Sequence, residues 1–310
     1  MNIKDIARIS GYSVTTVSRV INDHPYVSDE KRQRIKKVMQ DVGYVPNNTA
    51  RALSSGRSKN IGIVMPFSNY PYFERIIAGV VESAFEKGYK VTLLPTNYDK
   101  KTEEDYFKQL QAKSFDGLII TSKCNDFSMI AHYQTYGPIV CCEETLDYPI
   151  SSVSIDRHPA LVSALVFLRE TGCRRVAVTV SREASESAST RAIIKAYREV
   201  YGELPETLFY RDCSIMEDGV AAVQHFMTEQ PTIDAIFTNG DEIAAGVVKA
   251  LETFKRSDIH VMGQGASLTS DILQIPTIDH HLHQIGKEAF RHLFLIEQEK
   301  TTLASTFISR

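Results

Sequence analysis

This 310-residue chain has no tryptophan and no long apolar run. None of its apolar runs approaches the roughly 20 residues of a membrane-spanning helix. Its N-terminus lacks the basic start and apolar stretch of a secretory signal, so we expect a reduced, cytoplasmic protein with no membrane partner. The cysteines form no C-x-x-C pair and are interpreted as ordinary buried thiols: Cys124, Cys141, Cys142, Cys173 and Cys213.

Motifs that carry catalysis or phosphate binding are also missing from the sequence. There is no G-x-x-x-x-G-K-[ST] loop and no G-x-S-x-G turn, and residues 263–265 are too short for a dinucleotide fingerprint. Cys141 and Cys142 end an apolar run, which favours inert core thiols over a nucleophile. We therefore expect no enzyme activity and no cofactor.

The charge is distributed unevenly along the chain. Apolar residues make up 43% and charged residues 24%, which excludes a disordered, collagen-like or disulfide-scaffold protein. Residues 1–59 hold 11 Lys and Arg against 5 Asp and Glu, a net +6, although the whole chain carries −3. The remainder is therefore acidic, at −9. A basic head on an acidic body indicates that the head contacts a polyanion.

The first 45 residues predict three short helices. Asn2 and Asp5 are suited to cap the first helix, and Gly11 provides the turn after it. Ser13 is suited to cap a second helix over residues 14–22, and a third begins near Asp29. A small residue at Ala7 and a β-branched residue at position 17 then complete the spacing of a helix-turn-helix.

The second helix has one apolar and one polar face. Val17 and Val20 lie on the apolar face, whereas Thr15, Ser18, Arg19 and Asn22 share the opposite one. Such a face suits the DNA major groove, where Arg pairs bidentately with guanine. An ordinary solvated helix face remains the alternative.

Two segments carry a specific resemblance: NIKDIARISGYSVTTVSRVIND, and YVSDEKRQRIKKVMQDVGYVPNNTARALSSGRSKNIGIVMP. They resemble the head, hinge and first strand of the lactose-repressor (LacI/GalR) family of bacterial transcription regulators, and a looser similarity continues to the end of the chain. The resemblance implies a helix-turn-helix head over residues 1–57, with a hinge helix at about 46–54. It also implies a two-lobed, periplasmic-binding-protein-like body over 58–310.

The resemblance further implies which residues touch DNA. In the family, the first residues of the second helix and a later Arg read bases; these correspond to Val14, Thr15 and Arg19. Leu53 of each subunit would wedge into the minor groove at the operator centre, where unstacking costs a few kcal/mol. Packing between linker and body is the alternative for Leu53. The full set of predicted DNA contacts is Val14, Thr15, Thr16, Ser18, Arg19, Asn22, Tyr26, Asn47, Ala50, Arg51 and Leu53.

Strands alternate with helices in the body, which predicts an α/β fold of parallel sheets built from right-handed βαβ units. Two successive series of strands predict two lobes with a ligand crevice at the carboxyl ends of the strands. We expect the first lobe to span about 60–150 plus 280–310, and the second about 151–279. The run Ser152–Ile155 is placed at the start of the second series.

Four residues are candidates for binding a small effector, on the basis of the resemblance. Tyr72 and Phe73 correspond to the family's aromatic pair, although packing at a helix start would explain them equally. Arg191 corresponds to a ligand-anchoring Arg, against the alternative of a solvated helix charge. Asp241 corresponds to an Asp at a helix start, where it could be a cap instead of a contact.

The sequence departs from the family pattern at two points in the predicted crevice. Gly240 precedes Asp241 where many members have Asn, and residues 263–265 read Gly-Gln-Gly where many have Gly-Phe-Asp. Gly265 has no side chain to accept a hydrogen bond from a ligand hydroxyl. A standard free-sugar pose is therefore in doubt; a bulkier sugar, a phosphosugar or another ligand are the alternatives.

The sequence as a whole predicts a homodimeric, DNA-binding transcriptional regulator, most simply a repressor of carbohydrate-utilisation genes. Its partners would be a palindromic double-stranded operator and a small, sugar-like effector. A non-sugar metabolite or a protein corepressor is an alternative, and a solute-binding protein is a further one. His280, His281 and His283 could bind a metal, line the crevice or be structural, but no matching ligand pair supports a metal.

Overall fold

A computed structural model describes residues 1–45, 56–230 and 232–310. They form two compact units. The head comprises the described residues of Met1–Lys59 together with Lys113–Asp116, and the body comprises the described residues of Asn60–Ala112 and Gly117–Arg310.

The head contains three helices that pack around one small core. They are α1 (Ile3–Ser10), α2 (Val14–Ile21) and α3 (Asp29–Asp41). The predicted caps are confirmed: Asn2 Oδ1 accepts a hydrogen bond from the Asp5 amide at 3.3 Å, and Ser13 Oγ accepts one from the Thr16 amide at 3.2 Å. Gly11 ends α1 with φ of 77°. The core is formed by Ile6, Ala7, Val17, Val20 and Ile35.

The first lobe of the body is built on a six-stranded parallel sheet. Its strand order is β11-β5-β4-β3-β1-β2. The strands are β1 (Asn60–Met65), β2 (Lys90–Pro95), β3 (Gly117–Ile120), β4 (Ile139–Cys141), β5 (Ser151–Asp156) and β11 (Lys300–Ala304). Its helices are α4 (Pro71–Glu86), α5 (Lys100–Gln111), α6 (Phe127–Tyr133) and α12 (Leu282–His292).

Helices α4 and α12 approach each other closely because both carry a glycine at the crossing. A Cβ atom at Gly79 would overlap the carbonyl oxygen of His283, and one at Gly286 would overlap that of Ile76. The C-terminal helix is therefore fixed against the first helix of the body, and both cover the same core over β1.

The second lobe is built on a four-stranded parallel sheet, in the order β7-β6-β8-β9. Its strands are β6 (Val176–Thr179), β7 (Phe209–Tyr210), β8 (Ala235–Phe237) and β9 (His260–Met262). Its helices are α7 (His158–Glu170), α8 (Ala188–Tyr201), α9 (Met216–Glu229), α10 (Asp241–Phe254) and α11 (Leu268–Leu273). Two apolar clusters cover this sheet, which is typical of an α/β fold.

Two short strands next to the connections between the lobes pair as an antiparallel ribbon. They are β10 (Thr277–Asp279) and β12 (Thr306–Ile308). Phe307 of this ribbon lies 5.4 Å, ring to ring, from Phe167 of α7. The ribbon therefore packs on the second lobe, although the α12 and β11 segments before β12 belong to the first.

The structure corrects the predicted placement of one strand. The sequence pattern places Ser152–Ile155 in the second series, whereas β5 pairs with β4 and β11 in the first sheet. The run has the same apolar character as its neighbours, so its sequence alone does not indicate which sheet it joins. Because β12 packs on α7, the C-terminal residues also do not all return to the first lobe.

Candidate functional sites

The polar face of α2 is open in the head. Val14 is 41% exposed and so lies off the buried stripe that Val17 and Val20 form. Thr15 and Arg19 are exposed. Among the described residues, no acidic group lies within ion-pair distance of Arg19, so its guanidinium is available for an outside acceptor.

The other predicted DNA contacts border this face. Thr16 Oγ1 lies 2.9 Å from Ser13 Oγ, and Asn22 Nδ2 lies 3.5 Å from Ser18 Oγ. Tyr26 is 84% exposed. Side-chain pairs at the two ends of α2 therefore hold its polar residues in place. The hinge helix and four predicted contacts lie outside the described residues: Asn47, Ala50, Arg51 and Leu53.

The predicted aromatic pair lies at the start of α4, directly after the first strand. The Tyr72 hydroxyl accepts a hydrogen bond from Arg157 Nη2 at 2.7 Å, and burial raises the pKa of Tyr72. Phe73 is 5% exposed and contacts Tyr72 edge-on, with ring centres 5.2 Å apart. Phe73 is thus a packing residue under Tyr72.

Arg191 lies on the first turn of α8 and is exposed. Its Nη1 donates to the carbonyl oxygens of Ala184, at 2.7 Å, and Ser185, at 3.4 Å. These contacts tie the 181–187 loop to the helix. Arg191 therefore positions the loop that also carries Arg182, and its contact with an effector stays a prediction.

Asp241 is fully buried at the start of α10. Its Oδ2 accepts a hydrogen bond from the Ser267 amide, and its Oδ1 accepts one from Thr277 Oγ1, both at 2.7 Å. A Cβ atom at Gly263 would overlap Oδ1. The carboxylate therefore fills the space beside Gly263, and it joins α10 to the segments that begin α11 and β10. These contacts support the structural alternative for Asp241, and its contact with an effector stays a prediction.

Several crevice residues escaped the sequence analysis. Glu143 follows β4, and its Oε1 accepts a hydrogen bond from the Lys123 amide at 3.0 Å. Burial raises the pKa of Glu143, while Lys123 and Arg182 oppose that rise. From the second lobe, the Arg182 guanidinium lies 4.1 Å from the Tyr98 ring centre.

A second contact joins the lobes on the other side of the crevice, where Arg75 of α4 donates to the carbonyl oxygen of Gly265. The sequence signal that could have indicated these residues is their position just after the predicted strands. Tyr98, Glu143 and Arg182 each follow a parallel strand by a few residues, which is where such folds bind ligands.

The three clustered histidines have separate partners. His280 is buried; its Nδ1 lies 2.8 Å from Ser305 Oγ and its Nε2 lies 3.1 Å from Gln264 Oε1. Burial holds the pKa of His280 well below its ordinary value. His281 lies beside Asp279, and His283 beside Glu82. Within the described ranges, no group of three or more His, Cys, Asp or Glu side chains could hold a metal ion.

The adjacent thiols on β4 are also structural. Cys141 and Cys142 are buried, and burial raises the pKa of both thiols, which opposes the thiolate form that a nucleophile needs. None of the helices that the structure describes combines the length and apolar composition needed to cross a membrane.

Comparison with known proteins identifies the family. Residues 2–47 match the family "Bacterial regulatory proteins, lacI family", and residues 58–310 match "Periplasmic binding proteins and sugar binding domain of LacI family". The chain belongs to the LacI family. It is a DNA-binding transcriptional regulator of that family, and the predicted fold class is confirmed.

Relatives match nearly the whole of this LacI-family chain. Catabolite control protein B of Bacillus subtilis is 40% identical over 297 residues, which are 96% of this chain and 95% of that protein. The lac repressor dimer bound to operator and the anti-inducer ONPF has a TM-score of 0.85 at 20% identity, covering 100% and 98% of the two chains. A LacI-family regulator from Lactobacillus casei with bound sucrose has a TM-score of 0.72 at 22% identity, covering 81% and 98%.

Proposed function

We propose that this LacI-family chain is a homodimeric repressor of carbohydrate-utilisation genes, acting in the cytoplasm. It binds a palindromic operator through α2 and the hinge at about 46–54, within a head of residues 1–57. A small, carbohydrate-like effector binds in the crevice between the two lobes of the 58–310 body. The observation that carries this function is the open polar face of α2, with an unpaired Arg, on a head of net positive charge.

The DNA-reading assignment follows from the chemistry of α2. Arg19 offers a bidentate donor pair that matches guanine O6 and N7 in the major groove. Thr15 and the half-buried Ser18 are short enough to let the helix approach the base edges, and the exposed Val14 offers a methyl-bearing surface to thymine. We propose that Thr16, Asn22 and Tyr26 contact the sugar-phosphate backbone of the operator and so fix the position of α2 in the groove.

Dimerisation is supported by exposed apolar side chains on both lobes. Val81 and Leu93 of the first lobe are 44% and 43% exposed, and Leu268 and Ile272 of α11 are 72% and 71% exposed. Leu268 and Ile272 are four residues apart and so share one face of the helix, and exposed apolar side chains that share a surface are typical of interaction sites. A two-fold dimer presents two copies of α2, so the operator should consist of two inverted half-sites.

Effector control is supported by the contacts that cross the crevice. The Arg182–Tyr98 stack and the Arg75–Gly265 hydrogen bond both join one lobe to the other. A ligand that enters between them, beside Tyr72, favours one angle between the lobes. It can shift operator affinity only through its different affinities for the two arrangements.

The test is operator binding by an Arg19→Ala variant. An operator is selected from random duplex DNA with the wild-type chain, and binding is followed by fluorescence anisotropy at several salt concentrations. Arg19→Ala should lower affinity for the selected operator by about 1–3 kcal/mol, with a much smaller loss on unselected DNA. Lys37→Ala, an exposed cation on α3, is the control and should change both affinities by the same factor. Equal operator affinity in wild type and Arg19→Ala would contradict the assignment.

A further inference from the structure

Helix α2 ends in a turn in which one residue has an uncommon backbone conformation. The Asp23 amide donates to the carbonyl oxygen of Val20 at 3.2 Å, and the His24 amide donates to that of Arg19 at 2.9 Å. Asp23 has a φ of 52°, in the left-handed region that residues other than glycine adopt infrequently. Such a residue keeps this conformation where the contacts around it compensate. Residues 22–24, called the α2 turn below, therefore depend on support from the rest of the head.

Arg32 of α3 supplies that support. Its Nη1 donates to Asp23 Oδ1 at 2.7 Å, and its Nη2 donates to the His24 carbonyl oxygen at 2.8 Å. Lys36 Nζ lies 3.9 Å from the same Asp23 oxygen. The Arg32 side chain is only 19% exposed, whereas that of Asp23 is 80% exposed. The guanidinium is therefore directed at the α2 turn, and its planar fork fixes two groups of that turn at once.

The α2 turn also places two residues that we propose as operator contacts. Asn22 begins the turn, and its Nδ2 lies 3.5 Å from Ser18 Oγ of α2. Tyr26 follows the turn, and its ring lies 5.5 Å, centre to centre, from that of His24. Because Arg32 holds His24, a displacement of the turn would move both operator contacts relative to the base-reading face of α2.

We infer that Arg32 is a positioning residue for operator binding, which holds the α2 turn in place and does not itself contact DNA. Through the turn, it places Asn22 and Tyr26 against the sugar-phosphate backbone. This inference rests on the proposed function. Backbone contacts fix the register of a protein on its duplex, so their loss should weaken the operator complex more than binding to unselected DNA, which electrostatic attraction dominates.

The first test compares two arginines of α3 by fluorescence anisotropy on the full chain. The probes are the operator selected with the wild type and an unselected duplex of the same length. The control is Arg34→Ala, which removes the same charge from an exposed side chain and should weaken binding to both duplexes by one common factor. Arg32→Ala should weaken operator binding about tenfold more than the control does, the loss expected when two ordinary hydrogen bonds are disturbed. Its affinity for unselected DNA should match that of the control.

Salt dependence separates a positioning Arg from one that binds phosphate. Counterions are released where cations contact phosphates, so the slope of log affinity against log salt concentration should be the same in Arg32→Ala and wild type. A slope that is shallower by about 0.9 would make Arg32 a phosphate contact and would overturn the inference.

A second substitution tests the route through Asp23. Glycine adopts the left-handed conformation freely and carries no carboxylate, so it should keep the α2 turn in place without Arg32. The readout is the ratio of operator affinity to unselected affinity, from which a general change of charge cancels. Adding Asp23→Gly to Arg32→Ala should raise this ratio at least about threefold. Adding it to Arg34→Ala should raise the ratio less, because Arg32 still holds the turn there.

The remaining outcomes decide between this inference and the proposed function. Equal operator affinities in Arg32→Ala and Arg34→Ala would overturn the inference. So would a loss of both affinities in Arg32→Ala that Asp23→Gly does not restore, since Arg32 would then serve only the folding of the head. A wild-type chain that selects no operator would instead contradict the proposed function.

Discussion

Replacing Asp241 with Asn should destabilise the second lobe and should not act as the loss of a ligand contact. The side chain is fully buried, and its two oxygens accept hydrogen bonds from the Ser267 amide and from Thr277 Oγ1, both at 2.7 Å. An Asn side chain keeps only one acceptor oxygen. Its amide group then faces a donor, in a space that is already closed by Gly263.

The magnitude follows from these two contacts. A buried donor left without its acceptor costs about 1–3 kcal/mol, and more when the lost acceptor was charged. Since one of the two bonds survives, we expect Asp241→Asn to lower the free energy of unfolding by about 2–4 kcal/mol. For a unit of this size, 1 kcal/mol corresponds to about 2–4 °C in Tm, so the melting temperature should fall by roughly 4–16 °C.

The assay is urea unfolding followed by far-ultraviolet circular dichroism, because the chain has no tryptophan for fluorescence. Glu252→Gln, an exposed position on the same helix, is the matched control and should stay within about 0.5 kcal/mol of wild type. The reasoning is refuted if Asp241→Asn is as stable as this control but has lost its response to sugars. Asp241 would then be a ligand contact, as the family resemblance had implied.

Three further outcomes are expected from the body. Gly79→Ala should cost about 1–3 kcal/mol in thermal unfolding, because the added Cβ overlaps the His283 carbonyl oxygen where α4 crosses α12; a neutral result would mean that these helices can move apart. Burial raises the pKa of Glu143, so the folded chain holds this proton to higher pH than the unfolded chain does. The contribution of Glu143 to stability should therefore fall as pH rises above the ordinary Glu range, so urea titrations at about pH 5 and about pH 7.5 should show the wild type losing stability relative to Glu143→Gln; an unchanged difference between the two proteins would contradict the burial. Arg191→Ala frees the 181–187 loop from its helix, so trypsin should cut after Arg182 several-fold faster, and unchanged cleavage would argue against the positioning role.

The head could be predicted from the sequence because its determinants are local. Caps lie within three residues of the amides they bind, as with Asn2 and Asp5, and the turn requires only the positive φ of Gly11. The helical periodicity of the sequence could not decide whether Val14 is exposed, because position 14 lies at the boundary between the apolar and the polar face of α2. Only the packing of α2 in the head settles that Val14 is 41% exposed.

The body depends on contacts between residues far apart in the sequence. The pairing of β5 with β11 joins residues about 150 positions apart, and no local pattern specifies it. In the sequence, Asp241 is recognisable only as a residue at the start of a helix. Its buried hydrogen bond to Thr277 and its packing against Gly263 become evident only in the folded structure. Glu143 has no motif at all, and its environment exists only once Lys123, Tyr98 and Arg182 converge on the crevice.

The most direct test of effector control is the affinity for the selected operator with and without sugar. Anisotropy titrations are run in a fixed salt concentration, because affinity for DNA falls steeply with salt. We expect one sugar that binds the body to change operator affinity by about tenfold or more, which corresponds to a coupling free energy of about 1.4 kcal/mol. A sugar that saturates the wild-type chain and leaves operator affinity unchanged would contradict the account.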